Sequence, residues 1–408
     1  MKFSELGIGE QVLEAISYMG FEKATPIQEQ AIPKILDGKD LLACAQTGTG
    51  KTAAFILPII HKLSDRNQTD TTSTLIIVPT RELAIQIDQE IQGFSYFVPV
   101  SSMAIYGGGD GDDWELQRNA LSSGTNIIVA TPGKLLSHLQ MGYVAFDKVE
   151  FLILDEADRM LDMGFIEDIG KIISHLPKKR QNLLFSATMA SRIKGFAHDI
   201  LHQADEISIA ISKPAEGVLQ AAYLTFNEQK IPLLRSLINK NEEYNSILIF
   251  SSTKKKVFEI VRAMGGDKNN VKGISSDLEQ KEREEVLRNF KNKRTRVLVA
   301  TDVLSRGIDI KDINLVINFD VPKQAEDYVH RVGRTARADT TGVALSLINP
   351  DDMQKFHHIE KLIEREVPKI ALPEEMGEGP EWKVHSTNRN KRKNFSRKGP
   401  HHNKHRKK

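Results

Sequence analysis

Three short stretches of this chain carry residue types that do chemistry only in combination. The first, AQTGTGKT at residues 45–52, follows an apolar run and opens a helical pattern. Its glycines let the backbone turn tightly enough for N–H groups to face a polyphosphate, and the positive end of the following helix adds to the attraction. In such a loop Gln46, Thr47, Gly48, Thr49 and Gly50 cradle the phosphates of a nucleoside triphosphate, Lys51 reaches the β- and γ-phosphates and Thr52 ligates Mg²⁺. The second stretch, FLILDEAD at 151–158, ends an apolar run in adjacent carboxylates. Asp155 is the expected Mg²⁺ partner of Thr52, and Glu156 is placed to orient or deprotonate an attacking water. The plainer reading is that both acids cap the next helix. The third stretch, HRVGRTAR at 330–337, holds three arginines in eight residues. Alone, such a run is a solvated charged face; across a cleft from a phosphate loop, its arginines stabilise the charge of phosphoryl transfer.

Residues so far apart need a scaffold that returns them to one place. Apolar runs recur at 40–45, 74–79, 126–130, 151–155 and 182–186, then at 246–251, 296–300, 315–319 and 342–348, with helix-length segments between. Runs this short and this apolar predict strands covered on both faces, joined as parallel βαβ units into two doubly wound sheets. Many end in a small hydroxyl or an acid: Thr80, Thr131, Asp155, Ser186, Ser251 and Thr301. Open α/β sheets bind ligands outside the carboxyl ends of their strands, so a cleft between two such edges is the natural site. The pattern breaks at ISKPAEG, which sets a linker at 211–217 between domains at 1–210 and 218–372. Near the start, EQVLEAISYM puts Val12, Leu13, Ile16 and Met19 on one helical face that Gly20 ends.

The chain has 408 residues, 40% apolar and 27% charged, enough for two folded cores. Its net charge of +2 conceals an asymmetry: up to residue 382 there are 45 Lys and Arg against 54 Asp and Glu, and from Lys383 onward eleven Lys and Arg with no acid. The stretch 373–408 therefore predicts a disordered, basic, nucleic-acid-binding tail. A single cysteine, Cys44, excludes a disulfide framework and a multi-cysteine zinc site. No apolar run is long enough for a membrane helix, and the first residues lack the pattern of a signal peptide, which predicts a cytoplasmic protein without membrane partners.

Taken in order, Phe21 with ATPIQ, AQTGTGKT, PTREL, GG, TPGK, DEAD, SAT, ATDVLSRGIDI and HRVGRTAR resemble the motif set of the DEAD-box RNA helicases, over residues 1 to about 372. The resemblance implies two tandem RecA-like α/β domains that bind ATP and RNA between them. It implies that Phe21 stacks on adenine, Gln28 hydrogen-bonds the edges of adenine, Asp309 holds the ribose, and Arg334 and Arg337 act as arginine fingers. Ser186 and Thr188 would couple hydrolysis to strand separation. The RNA backbone would cross Pro79, Thr80, Arg81, Gly107, Gly108, Thr131, Pro132 and Gly133 in the first domain and Thr301 and Asp302 in the second, contacts that hold phosphates without reading bases.

The chain departs from the pattern in places. Lys134 stands where the family usually has Arg, which exchanges a planar fork for a point charge. Ala336 replaces a usual Gly, and Ser275 with Ser276 replaces His-Gly. The expected activity is RNA-stimulated ATP hydrolysis coupled to local unwinding of short duplexes or to remodelling of RNA–protein complexes. Ribosomal or RNA-decay proteins are candidate partners. The alternatives are an ATP-gated RNA clamp with weak unwinding, and a DNA helicase, which would lack discrimination by 2′-hydroxyl contacts.

Overall fold

The computed structural model describes every residue except 46–47, 65–70, 109–110, 190, 210–216, 241–243, 276, 302–312, 336–341 and 385–408. Its first sheet contains β1 Leu41–Cys44, β2 Thr74–Ile77, β3 Ser102–Ile105, β4 Ile127–Ala130, β5 Phe151–Leu154, β6 Gln181–Ser186 and β7 Asp205–Ser208. The second contains β8 Val218–Leu224, β9 Ile247–Ser251, β10 Val271–Ile274, β11 Val297–Thr301, β12 Leu315–Asn318, β13 Gly342–Ile348 and β14 Lys369–Ile370. All pairings are parallel. The strand orders are β3-β4-β2-β5-β6-β1-β7 and β10-β11-β9-β12-β13-β8-β14, so the second sheet repeats the first strand for strand.

The apolar runs form strands because both faces of each sheet are covered. Along β5, Phe151 and Ile153 enter the core on one face while Leu152 and Leu154 enter the core on the other, and β1 and β2 divide in the same way. A fully buried side chain of this kind contributes about 1.5–3 kcal/mol relative to its exposed state. Three further apolar clusters organise the second sheet.

Five strands escape a search for apolar runs. Of these β3, β7, β10 and β14 are edge strands, and β7 buries only Ile207 of DEIS. The fifth, β8, abuts the two-residue β14 and leaves Leu219 62% exposed. An edge strand is only partly covered, so polar and small residues interrupt it and no apolar run forms: β3 reads SMAI, β7 DEIS and β10 VKGI.

The C-terminal stretch also differs from expectation. Residues 373–384, assigned above to an unstructured tail, pack on the second sheet. Glu374–Met376 form a 3₁₀ turn, and Gln229 Nε2 donates to the carbonyls of Met376 (3.0 Å) and Glu378 (3.1 Å). Trp382 meets Phe356 edge-on at 6.4 Å. The charge census overlooked the apolar surface that Met376 and Trp382 bring. The rest of that expectation, and most of the linker at 211–217, lie outside the described residues. No described helix is long and apolar enough to cross a membrane.

Candidate active site and nucleic-acid face

The phosphate loop begins where β1 ends. Gly48 and Gly50 have φ of +83° and +90°, a region that side chains with a Cβ rarely occupy. Gly50 has a second constraint: an added Cβ would lie 2.4 Å from Gln28 Nε2. That amide donates to the Gly50 carbonyl at 3.1 Å, while Gln28 Oε1 accepts from the Thr25 N–H at 2.9 Å. Gln28 is thus the capping-box residue of helix Pro26–Leu36 and a brace for the loop at once. Phe21 stands 40% exposed beside Phe94, at 5.5 Å.

Lys51 opens helix Lys51–Ser64 and is buried, its Nζ donating to the Ala45 carbonyl at 2.7 Å. Its charge reaches Asp155, Asp158 and Cys44. Asp155 follows β5, and burial lifts its carboxyl to about 6 against the pull of Lys51. Burial raises Asp158 and the Cys44 thiol as well, again opposed by Lys51. The Glu156 N–H donates to Asp155 Oδ1 at 2.8 Å. Glu156 occupies the N-cap position of helix Ala157–Asp162 in a left-handed conformation, φ +52°, yet its side chain makes no cap bond. It forms a buried ion pair with Arg159 instead. The capping reading therefore fails for the Glu156 side chain, which is held in the crevice in a backbone conformation that costs free energy to maintain.

A cavity of about 450 Å³ separates the two sheets. Glu156, Asp158 and Thr188 line it from one side, and Gln324, Glu326, Asp327 and His330 from the other. Ser186 ends β6 with its Oγ accepting from the Thr188 N–H at 3.2 Å, so the SAT turn sits on the cavity wall. His330 belongs to helix Ala325–Val332, and Arg334 follows that helix, half-buried. The third arginine of the run has another job. Arg331 is 3% exposed and donates to Asn318 Oδ1 (3.0 Å) and the Asp320 carbonyl (2.7 Å), tying the helix to the end of β12. Gln46, Thr47, Asp302, Asp309, Ser276, Ala336 and Arg337 lie outside the described residues.

The expected RNA residues gather on the carboxyl edge of the first sheet. Thr80 caps helix Arg81–Phe94 through Oγ1, and Thr131 precedes helix Pro132–Gln140. Pro79 and Pro132 are buried beneath them, while Gly107, Gly108 and Gly133 are exposed. Arg81 lies 4.3 Å over the Tyr106 ring, donates to the Gly107 carbonyl at 3.3 Å, and crosses to the second half to pair with Glu284 at 2.7 Å. Thr301 ends β11, half-buried. Ser275 Oγ accepts from the Asp277 N–H at 3.3 Å, just before helix Gln280–Lys291. Reading the residues missed Asp158, Arg159 and Glu284. The i+3 spacing of Asp158 from Asp155 was a usable signal, whereas an ion pair between residues 81 and 284 leaves none.

A sheet topology that occurs twice, with a phosphate loop in the first copy and a cavity lined by both copies, defines a tandem RecA-like ATPase. Residues 25–196 match the DEAD/DEAH box helicase family and residues 229–339 the helicase conserved C-terminal domain. The chain is 41% identical to the DEAD-box ATP-dependent RNA helicase CshA of Geobacillus kaustophilus over 372 residues, which span 91% of this chain and 78% of that protein. It is 41% identical to ATP-dependent RNA helicase CshA of Listeria monocytogenes over 91% of this chain and 71% of the relative. Among solved structures, S. cerevisiae Dbp5 bound to RNA and ADP BeF3 superposes with a TM-score of 0.80 at 29% identity, covering 90% of this chain and 95% of that one. A DEAD box protein from Methanococcus jannaschii gives 0.53 at 38% identity, covering 91% and 99%. The chain belongs to the DEAD-box family and is an ATP-dependent RNA helicase.

Proposed function

We propose that the cavity between the two sheets is where ATP hydrolysis is gated by closure on RNA, and that the outcome is local opening of short RNA duplexes. The observation that carries this is the cavity itself, whose walls come from both halves and include Glu156 and Thr188 on one side and His330 on the other. The placement of the halves supports it. Gln324, Glu326 and His330 of the second half share the cavity wall with Glu156 and Thr188 of the first, and Arg81 of the first half pairs with Glu284 of the second at 2.7 Å.

In this reading Phe21 and Gln28 hold adenine, Asp309 the ribose, and the loop 46–52 the phosphates. Adenine must draw the Gln28 amide from the Gly50 carbonyl, which links base recognition to the phosphate loop. Asp155 and Thr52 offer hard oxygens and leave most positions to phosphate and water, the arrangement Mg²⁺ favours, and a cation beside Asp155 would offset the desolvation of its carboxylate. Bound there, Mg²⁺ would supply charge neutralisation at the phosphates. Glu156, anchored by Arg159, orients the attacking water. Arg334 and Arg337 bring positive charge from the second half only on closure, and Ser186 with Thr188 passes closure to the RNA face. Pro79, Thr80, Arg81, Gly107, Gly108, Thr131, Pro132, Gly133, Thr301 and Asp302 hold the RNA backbone along a path that a straight duplex cannot follow.

Since ATP and RNA each gain contacts only in the closed form, each tightens binding of the other. The eleven basic residues from Lys383 onward add sequence-blind affinity for phosphates, and the protein acts in the cytoplasm. Strand displacement of a short RNA duplex, measured beside RNA-stimulated ATPase activity, tests the reading. ATP-dependent displacement supports it, whereas stimulated ATPase activity with RNA held and no displacement indicates a clamp.

A further inference from the structure

Lys134 replaces a planar, five-donor guanidinium with a flexible point charge on a face that has to hold phosphates. Its surroundings compensate for the change. The Lys134 Nζ lies 4.0 Å above the ring of Trp114, which comes from a different helix, Gly111–Ser123. Beneath it, Trp114 stacks on His138 at 4.1 Å with the planes 17° apart. His138 is fully buried and cannot drift: Nδ1 is bonded to the Tyr143 hydroxyl and Nε2 lies 3.3 Å from Gln117 Oε1. Gln117 in turn donates to the Tyr106 carbonyl at 3.2 Å, and Tyr106 underlies Arg81. One packed layer therefore runs from Arg81 to Lys134 beneath the exposed Gly107 and Gly133.

An ammonium over an indole gains electrostatic attraction that grows as water is excluded, and the rotamer freedom it loses is spent before a phosphate arrives. Burial here pulls the pKa of Lys134 down, with Asp113 opposing, as expected for a partly desolvated cation. We infer that Trp114 is a positioning residue for RNA: it holds Lys134 as a fixed phosphate-binding cation and so replaces the rigidity of the missing arginine. This rests on the RNA face proposed above.

The test uses the full chain, a fluorescein-labelled oligouridine of about ten nucleotides and a non-hydrolysable ATP analogue, with affinity measured across a salt series. Trp114→Leu should weaken RNA binding by about 3- to 10-fold and flatten the slope of log K against log[salt] by up to ~0.7, the share of one phosphate contact. ATP affinity measured without RNA should be unchanged. In a Lys134→Ala background, Trp114→Leu should cost nothing further, because its effect runs through that ammonium. Trp114→Phe, which keeps a weaker cation-attracting face, should fall between. If Trp114→Leu loses its fold in a melting curve, the drop from wild type to Trp114→Phe, and its disappearance beside Lys134→Ala, decides the matter. Normal RNA binding by Trp114→Leu with weakened binding by Lys134→Ala overturns the positioning role and leaves the RNA face intact. An equal cost of the Trp114 change in both backgrounds also overturns it. Wild-type binding by Lys134→Ala removes Lys134 from the RNA face and the proposal with it.

Discussion

Removing the Asp320 carboxylate should destabilise the second half of the chain far more than most single substitutions. Lys230 and Asp320 are 2% and 6% exposed, with Nζ 3.6 Å from Oδ1, and Lys230 also donates to the Phe319 carbonyl at 2.7 Å. Asp320 accepts from the Ser252 N–H (2.8 Å), Ser251 Oγ (3.2 Å) and Lys256 Nζ (2.8 Å). Burial alone would raise its carboxyl, yet the bonds from Lys256 and Ser252 and the charge of Lys230 bring it down to about 2. Asp320→Ala leaves the Lys230 ammonium buried with a carbonyl and the more distant Asp352, a loss of about 3–5 kcal/mol. Against a domain stability of about 5–15 kcal/mol this is severe. Urea denaturation in a Trp114→Phe background, with Trp382 on Phe356 as reporter, measures it. Replacing the buried pair together, Asp320→Ala with Lys230→Met, should recover most of the loss, since no charge is then stranded. The pH dependence has a definite sign: with the folded value of about 2 below the ordinary 3.8, the contribution of Asp320, roughly 2 kcal/mol, is whole above pH ~4 and lost as pH falls toward 2. A loss under about 1 kcal/mol for Asp320→Ala, or a double variant no more stable than the single one, would refute this reasoning.

Glu156→Gln should abolish turnover while ATP and RNA binding persist, because the attacking water and neither bound ligand relies on the carboxylate; steady-state ATPase activity and RNA binding check it, and retained turnover rules the assignment out. Arg334→Ala in the full chain should lower RNA-stimulated ATPase activity by at least ~10²-fold, and a change below threefold in that rate removes it from the fingers. His138 is held neutral down to about 4, by burial first and by Lys134 second, against an ordinary 6.5. The stabilisation from that neutral ring is therefore whole above pH 6.5 and declines as pH falls toward 4. Melting temperatures at pH 7 and pH 5 should diverge more for wild type than for His138→Gln, and parallel shifts would show that the ring does not govern the transition.

The central strands were legible because burial on both faces writes itself as an uninterrupted apolar run, as in FLIL of β5. The edges were not, since DEIS in β7 buries a single side chain and VKGI in β10 is interrupted by Lys272 and Gly273, so both resemble loops. At the active site, Lys51 and Asp155 follow from local spacing, because the loop and the strand end carry their own chemistry. The arginine run shows the limit: Arg331 and Arg334 look equivalent in sequence, and only the position of Asn318 and the Asp320 carbonyl takes Arg331 into the core. Local spacing is equally silent on the layer under Lys134, whose members come from separate helices and meet only through the fold.

The repeated strand order assigns the two halves unequal electrical duties. In the first, Lys51 opens the helix after β1 and Asp155 follows β5; in the second, Lys230 sits in the first turn of helix Asn227–Lys240 after β8, and Asp320 lies just beyond β12, the counterpart of β5. The first pair leaves a desolvated carboxylate to be completed from outside, whereas the second pair is closed upon itself, with Asp320 neutralising the lysine as a phosphate would. In the second half that position holds an internal strut. With that place filled from within, equilibrium binding should find one nucleotide per chain, and a second equivalent of bound ATP would show that the second half still accepts a phosphate.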